Sequence, residues 1–360
     1  MSRRRDMTPA LGTPGGPASW KRAIPNGKIG LTRANWQDAR WSFLFKEGRS
    51  RYAEAQERRV GEMPELEDPG QIQGPMMKAP VWTWEVPLYF WFGGMASGAS
   101  FVALACDLAG DHRSARVARM VSLAAVLPCP PLLILDLGRP MRFLNMLRVF
   151  KPRSPMSMGA WCLAVFSTVT AAAVGADLIA KDRFARVAGF VNAALGGYLG
   201  SYTGVLLSAT AVPVWARSHL FLGPIFISTG AATGAAACRL ALVATGVPAG
   251  HPTHEALARV ETGAIAAELM LSQINELRLG RLAESLEHGT AGRFMRAAKW
   301  LVRAGILLRV RGRSGPAHHV ASAAYLAAGL CFRYGWVLGG RGSAGDDEAV
   351  AMMARTHHYT

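Results

Sequence analysis

Charge is scarce in this chain. Only 18% of its 360 residues are Asp, Glu, Lys or Arg, against about 25% in an ordinary soluble protein. The formal net charge is +16, but the basic residues flank long apolar runs instead of forming a patch. That pattern belongs to the loops of a polytopic membrane protein and argues against nucleic acid as a partner. Cysteine is sparse as well. Cys106, Cys129, Cys162, Cys238 and Cys331 lie in or beside apolar runs with no CxxC pair, so the chain lacks the clustered thiolates of an iron–sulfur protein, and the five read as small packing residues. None of the nine histidines falls in the middle of an apolar run, which disfavours axial haem ligation within a helix bundle. No P-loop, GxSxG or HExxH pattern occurs, so soluble hydrolase chemistry is not visible. The opening MSRRRDMTPALGTPGG has no apolar core of a signal peptide, and insertion is expected to start with the first apolar run.

Apolar runs, by contrast, are plentiful. Eight stand out, near Val86–Leu108, Val117–Leu137, Met158–Ile179, Val187–Ala209, Leu220–Gly246, Leu257–Leu277, Phe294–Val310 and Val320–Leu338. A bilayer span needs about 20 residues, and most of these suffice. Lys299 and Arg303 interrupt the seventh and Glu261 and Glu268 the sixth, so seven spans remain an alternative to eight. Trp82, Trp84, Trp161, Trp215 and Trp336 lie at run ends, where indoles favour the interface. Gly94 and Gly98, Gly200 and Gly204, and Gly230 and Gly234 recur at the spacing that lets helix backbones approach in lipid. Residues 1–80 read as a basic, Pro- and Gly-rich extramembrane tail, in which 35–59 reads either as a helix that would suit an interface or a partner or as a weakly ordered segment. Residues 81–340 read as the membrane domain and 341–360 as a short tail. Basic residues divide evenly between the loops of the two sides, so sidedness stays open. Counting spans still puts the tail, the start of the first helix, the Asp136–Met158 loop and the end of the fourth helix on one face.

Three groups of residues could carry chemistry. Glu85 heads the first run, and Asp136 and Arg139 end the second. At an interface they could hydrogen-bond a quinone carbonyl and exchange its protons, or they could form a structural ion pair at a helix end. The fourth run holds Asn192, Tyr198, Ser201, Tyr202, Thr203 and Ser208, polar groups that need partners or a cavity inside lipid. In the sixth run Glu261, Glu268 and Asn275 repeat every seven residues and so share a helical stripe. With Arg239 or Arg333 as partners they suit a proton path or a buried ion network.

Three strings now carry a resemblance: WTWEVPLYFWFGGMASGASF, LDLGRPMRFLNMLRVFKPRSPMSMGAW and YTGVLLSATAVPVW followed by LGPIFISTGAATGAA. They resemble the NrfD/PsrC family of polysulphide reductase membrane subunits, from about Ala79 to Ala237 and more weakly to Gly340. The resemblance implies an all-α integral protein of the bacterial cytoplasmic membrane, with eight transmembrane helices in two four-helix bundles. It implies an exchangeable quinone or quinol, menaquinone or ubiquinone, near the membrane surface, with no haem or iron–sulfur cluster in the chain itself. The implied partners are a ferredoxin-like iron–sulfur subunit and a molybdopterin catalytic subunit. Tyr202, from the YTG string, and Glu85 match the positions that would meet the quinone, although relatives carry Asn or His near the latter. The basic loop residues Arg142, Arg148, Lys151 and Arg153 would then dock the partner, Asp136 and Arg139 would assist proton exchange, and Glu261, Glu268 and Arg239 would mark a proton path. The alternatives are a proton-coupled transporter and a purely structural anchor.

Overall fold

The computed structural model describes residues 76–137, 143–248, 250–311 and 315–356. Arg139, Arg142 and the expected tail helix over 35–59 lie outside the described residues. Every regular element among those described is helical.

Helix α1 spans Glu85–Leu108. Gly110, at φ 76°, takes the left-handed conformation that an L side chain resists, and the chain reverses there into α2, His112–Val126, capped by the Asp111 carboxylate on the Ser114 N–H. Pro128 breaks the rod because its ring removes a backbone donor, and α3, Cys129–Asp136, continues it. A short α4, Phe143–Arg148, precedes α5, Pro155–Leu178, whose start is fixed by Ser154 as cap and Pro155 in the first turn. Then follow α6, Asp182–Ser208, α7, Pro213–Arg217, α8, His219–Ala244, and α9, Pro252–Leu279. A 3-10 turn, Gly280–Ala283, and α10, Glu284–Glu287, lead to α11, Gly289–Arg311, α12, Gly315–Ala344, and α13, Asp347–Thr356.

Four helical segments are long and apolar enough to cross a membrane: α1, the α2–α3 rod His112–Asp136, α5 and α8. The remaining long helices, α6, α9, α11 and α12, coincide with the other four apolar runs. Their 27, 28, 23 and 30 residues exceed the roughly 30 Å hydrocarbon thickness at 1.5 Å per residue, but they carry more polar residues. Helicity runs past several of the apolar limits, since the charged Asp182–Arg186 segment opens α6.

Helices α1, α2, α5 and α6 touch in a closed ring, and α8 packs on α1, α6, α9 and α12, while α11 pairs with α12. The α1–α8 contact is made by glycine on glycine. A Cβ on Gly98 would stand 2.1 Å from the Gly230 carbonyl oxygen, and one on Gly234 would stand 2.3 Å from the Gly98 carbonyl carbon. The four-residue glycine spacing therefore serves close backbone approach. At the end where α1 begins, Trp215 donates to the Trp336 carbonyl at 2.9 Å and stacks on Trp82 at 5.2 Å, above Gly340, whose lack of a side chain leaves the indole its space. Trp215 and Trp336 were expected at the lipid interface, yet both are buried within the protein. Trp84, 52% exposed, keeps an outward position.

Candidate functional site

The first-ring site is built from helix ends. Glu85, the first residue of α1 and half-buried, accepts a hydrogen bond from the Thr83 hydroxyl. It acts electrostatically on Asp136, at the end of α3, and on Tyr334 of α12. Tyr334 stacks on Phe294 at 5.1 Å and donates to the Trp84 carbonyl at 3.3 Å. The two carboxyl groups expected at one face thus lie within electrostatic range of each other; Arg139, expected beside Asp136, lies outside the described residues.

One turn into α1 from Glu85 comes Tyr89, on the same helical face and buried. It lies within electrostatic range of Tyr202 of α6, Cys129 of α3 and Cys162 of α5. Tyr202 is buried too, stacked on Tyr198 at 5.9 Å with 17° between the planes. Its ring lies flush on α5: a Cβ on Gly159 would fall 1.8 Å from the ring Cζ. Among the described residues neither tyrosine hydroxyl has a hydrogen-bond partner. Buried tyrosines normally find one, so two near each other without one suit a polar ligand between helices. Tyr89 was missed at the sequence level, hidden in the aromatic PLYFWF run; its one available signal is the four-residue step from Glu85.

The loop that follows is exposed. Arg148 ends α4, and Lys151 and Arg153 stand in solvent with Val149 and Phe150. Ser157 shapes it, accepting the Lys151 N–H at 3.0 Å and donating to the Val149 carbonyl at 3.1 Å, while Phe150 meets Trp161 edge-on at 5.9 Å.

The Glu261–Glu268–Asn275 stripe is real but splits into three environments. Glu261 pairs with Arg309 and accepts from Ser322. Glu268 accepts from Ser272 at 2.8 Å, and the Asn275 amide donates to Ser218 at 3.0 Å. Arg239 serves chiefly the carbonyls of His318 and His254 and the Ser322 hydroxyl. It is not itself in an ion pair with Glu261, although Ser322 joins them. Arg333 donates to the Phe226 carbonyl at 2.8 Å and stacks on that ring at 3.7 Å.

The opposite end of the ring holds an ion cluster that sequence reading dispersed into loops. Arg119, buried, binds Asp107 of α1 at 2.6 Å and Asp177 of α5 at 2.6 and 2.9 Å. Arg116 adds Asp182 at 2.6 Å. The signal available was an aspartate near the end of each of two apolar runs. Nearby Asp111, in the turn between α1 and α2, is pushed up by partial burial, but hydrogen bonds from Ser114 and the Thr253 hydroxyl outweigh this and hold it below the usual carboxylate range. Among the described residues no group of three or more His, Cys, Asp or Glu side chains is placed to hold a metal ion.

Across residues 74–307, well over half of the chain, the sequence matches the family model described as Polysulphide reductase, NrfD. No curated protein matches it.

Proposed function

Starting from a chain that belongs to the NrfD polysulphide reductase family, membrane subunits of oxidoreductase complexes, we propose that this protein oxidises or reduces a quinone at the Tyr89–Tyr202 site and exchanges the electrons with an iron–sulfur partner. The observation that carries this reading is the pair of buried tyrosines near two carboxyl groups, whose hydroxyls have no hydrogen-bond partner among the described residues. In this reading the eight long helical segments cross a bacterial cytoplasmic membrane as two four-helix bundles, and the site lies near one surface of the first. The ligand is menaquinone or ubiquinone, exchanged with the membrane pool. The partners are a ferredoxin-like iron–sulfur subunit and, beyond it, a molybdopterin catalytic subunit.

Quinol oxidation releases two electrons and two protons. Tyr202 and Tyr89 hold the head-group oxygens by hydrogen bonds and so fix the ring. Glu85 and Asp136 take up the protons at the helix ends, where solvent can remove them, with Arg139 as the cation that orients Asp136. The aliphatic walls of the ring helices exclude water from the tail of the ligand. Arg148, Lys151 and Arg153, with Arg142, offer a positive surface to an acidic partner, and Val149 and Phe150 give it apolar contact.

Purification of the chain from its native membrane in mild detergent tests this directly. An iron–sulfur protein and extractable quinone should accompany it. A chain that purifies alone and free of quinone would overturn the reading and favour a transporter.

A further inference from the structure

Between α9 and α11 lie two adjoining cavities, a smaller one deeper along Glu268 and a larger one toward the end of α9. The inner one has about 30 Å³ and is lined by Glu268, Ser272 and Thr229 with apolar neighbours. That is room for one or two waters, and the polar groups on its wall are of the kind a buried water needs. The outer one, about 370 Å³, is bordered by Glu287, His288 and Arg296. Glu276, Met295 and Lys299 line both. The Lys299 ammonium donates to the two Glu276 oxygens at 3.0 and 3.2 Å, so this ion pair borders both spaces.

Glu268 is 5% exposed. Its one hydrogen bond comes from Ser272, and among the described residues no cation forms an ion pair with it. The charges that reach it come from Glu276 on its own helix, Lys299 on α11 and Arg333 on α12. Arg333 is itself buried, and its Nε and Nη1 lack partners. An ionised carboxyl with no direct counter-ion is costly in such surroundings, which suits a group that takes and returns a proton better than one that holds a fixed charge. Glu261, about 10 Å along the same helix at 1.5 Å per residue, differs in kind because Arg309 and Ser322 lock it.

We propose that Glu268 is a proton-exchange site reached from the end of α9 through a hydrated passage, with the Lys299–Glu276 ion pair as its gate. When the pair parts, water joins the outer cavity to the inner one. A proton then passes between that water and a Glu268 oxygen; one O–H bond forms as another breaks, and no electron moves. Ser272 stays hydrogen-bonded to the carboxyl throughout. The site needs neither quinone nor partner, so it stands apart from the function proposed above.

Infrared spectroscopy of the full chain in lipid nanodiscs, moved from H2O to D2O across a range of pH, reads the exchange directly. The expected result is a neutral-carboxyl band that is lost in Glu268→Gln and that shifts on deuteration. Its exchange should quicken roughly fivefold in Lys299→Met, the factor by which an exposed ion pair of this kind resists opening. Glu276→Gln opens the same gate while keeping the lysine, and it decides the matter where Lys299→Met does not fold. The proposal is overturned if Glu268→Gln removes no band at any pH, or if the band exchanges at the parent rate in the folded gate variants.

Discussion

Adding one methyl group at Gly159 should damage quinone binding more than deleting the Tyr202 hydroxyl. The ring of Tyr202 rests on Gly159, and a Cβ built there stands 1.8 Å from Cζ and 2.1 Å from the hydroxyl oxygen. Ordinary carbon contacts begin near 3.5 Å, so Gly159→Ala forces the ring, the α5 backbone or both to move by roughly 1.5 Å. A shift of about 1 Å in a positioning group can cost on the order of 100-fold in turnover, and overpacking adds about 1–3 kcal/mol of destabilisation. Tyr202→Phe, by contrast, leaves the ring in place. Because the hydroxyl has no protein partner among the described residues, its loss breaks no internal hydrogen bond and should barely move the melting temperature. It removes only the bond to the ligand, worth about 0.5–1.5 kcal/mol, or roughly 2- to 13-fold in affinity. The assay is titration of the purified chain with a short-chain quinone, followed by tryptophan fluorescence, beside thermal melts of each variant. The double variant should bind no worse than Gly159→Ala alone, since both act on one group. Parent-like quinone binding in a folded Gly159→Ala protein would refute the placement of the ligand at Tyr202.

Other outcomes follow from the same geometry. Arg119→Met takes from Asp107 and Asp177 their buried cation, leaving only the more exposed His112 and Arg116 beside them, and should cost up to about 3–5 kcal/mol, read as a lowered melting temperature; also replacing both aspartates by Asn should restore much of it. Gly98→Val drives a side chain into the Gly230 carbonyl and should destabilise the α1–α8 contact by about 1–3 kcal/mol or more, whereas Gly175→Ala, with open space around it, should be silent in the same melt. The helix α13 should come loose in acid. Its Glu348 hydrogen-bonds Arg281, and that contact holds the carboxyl below its ordinary value. A depressed carboxylate contributes stability above its unfolded value, about 4.3, and loses it as pH falls through the folded one. Proteolysis near residue 345 should therefore accelerate below about pH 4.3, and Arg281→Gln should flatten that dependence.

The helical class was legible because a bilayer demands long uncharged runs with internally satisfied backbones, and each run became a helix. Glycine spacing was equally legible, since only a bare Cα lets the Gly98 and Gly230 backbones meet. Glu85, Asp136 and Tyr202 could be named from sequence because polar groups in apolar runs stand out locally. Tyr89 could not, since an aromatic among aromatics looks like packing until the fold brings it within electrostatic range of Tyr202. Partners were the other thing hidden. The seven-residue spacing put Glu261 and Glu268 on one stripe, but only the approach of α11 and α12 gave Arg309 and Ser322 to the first and a cavity to the second. The basic residues between runs were counted only as loop charges, and the fold alone closed Asp107 and Asp177 around Arg119. Sequence by itself thus determined the helices and which faces carry polar groups, for periodicity is a property of one segment. Tertiary structure alone decided which charges are paired, which are left facing a cavity and which hydroxyls lack partners, because those depend on distances between segments far apart in the chain.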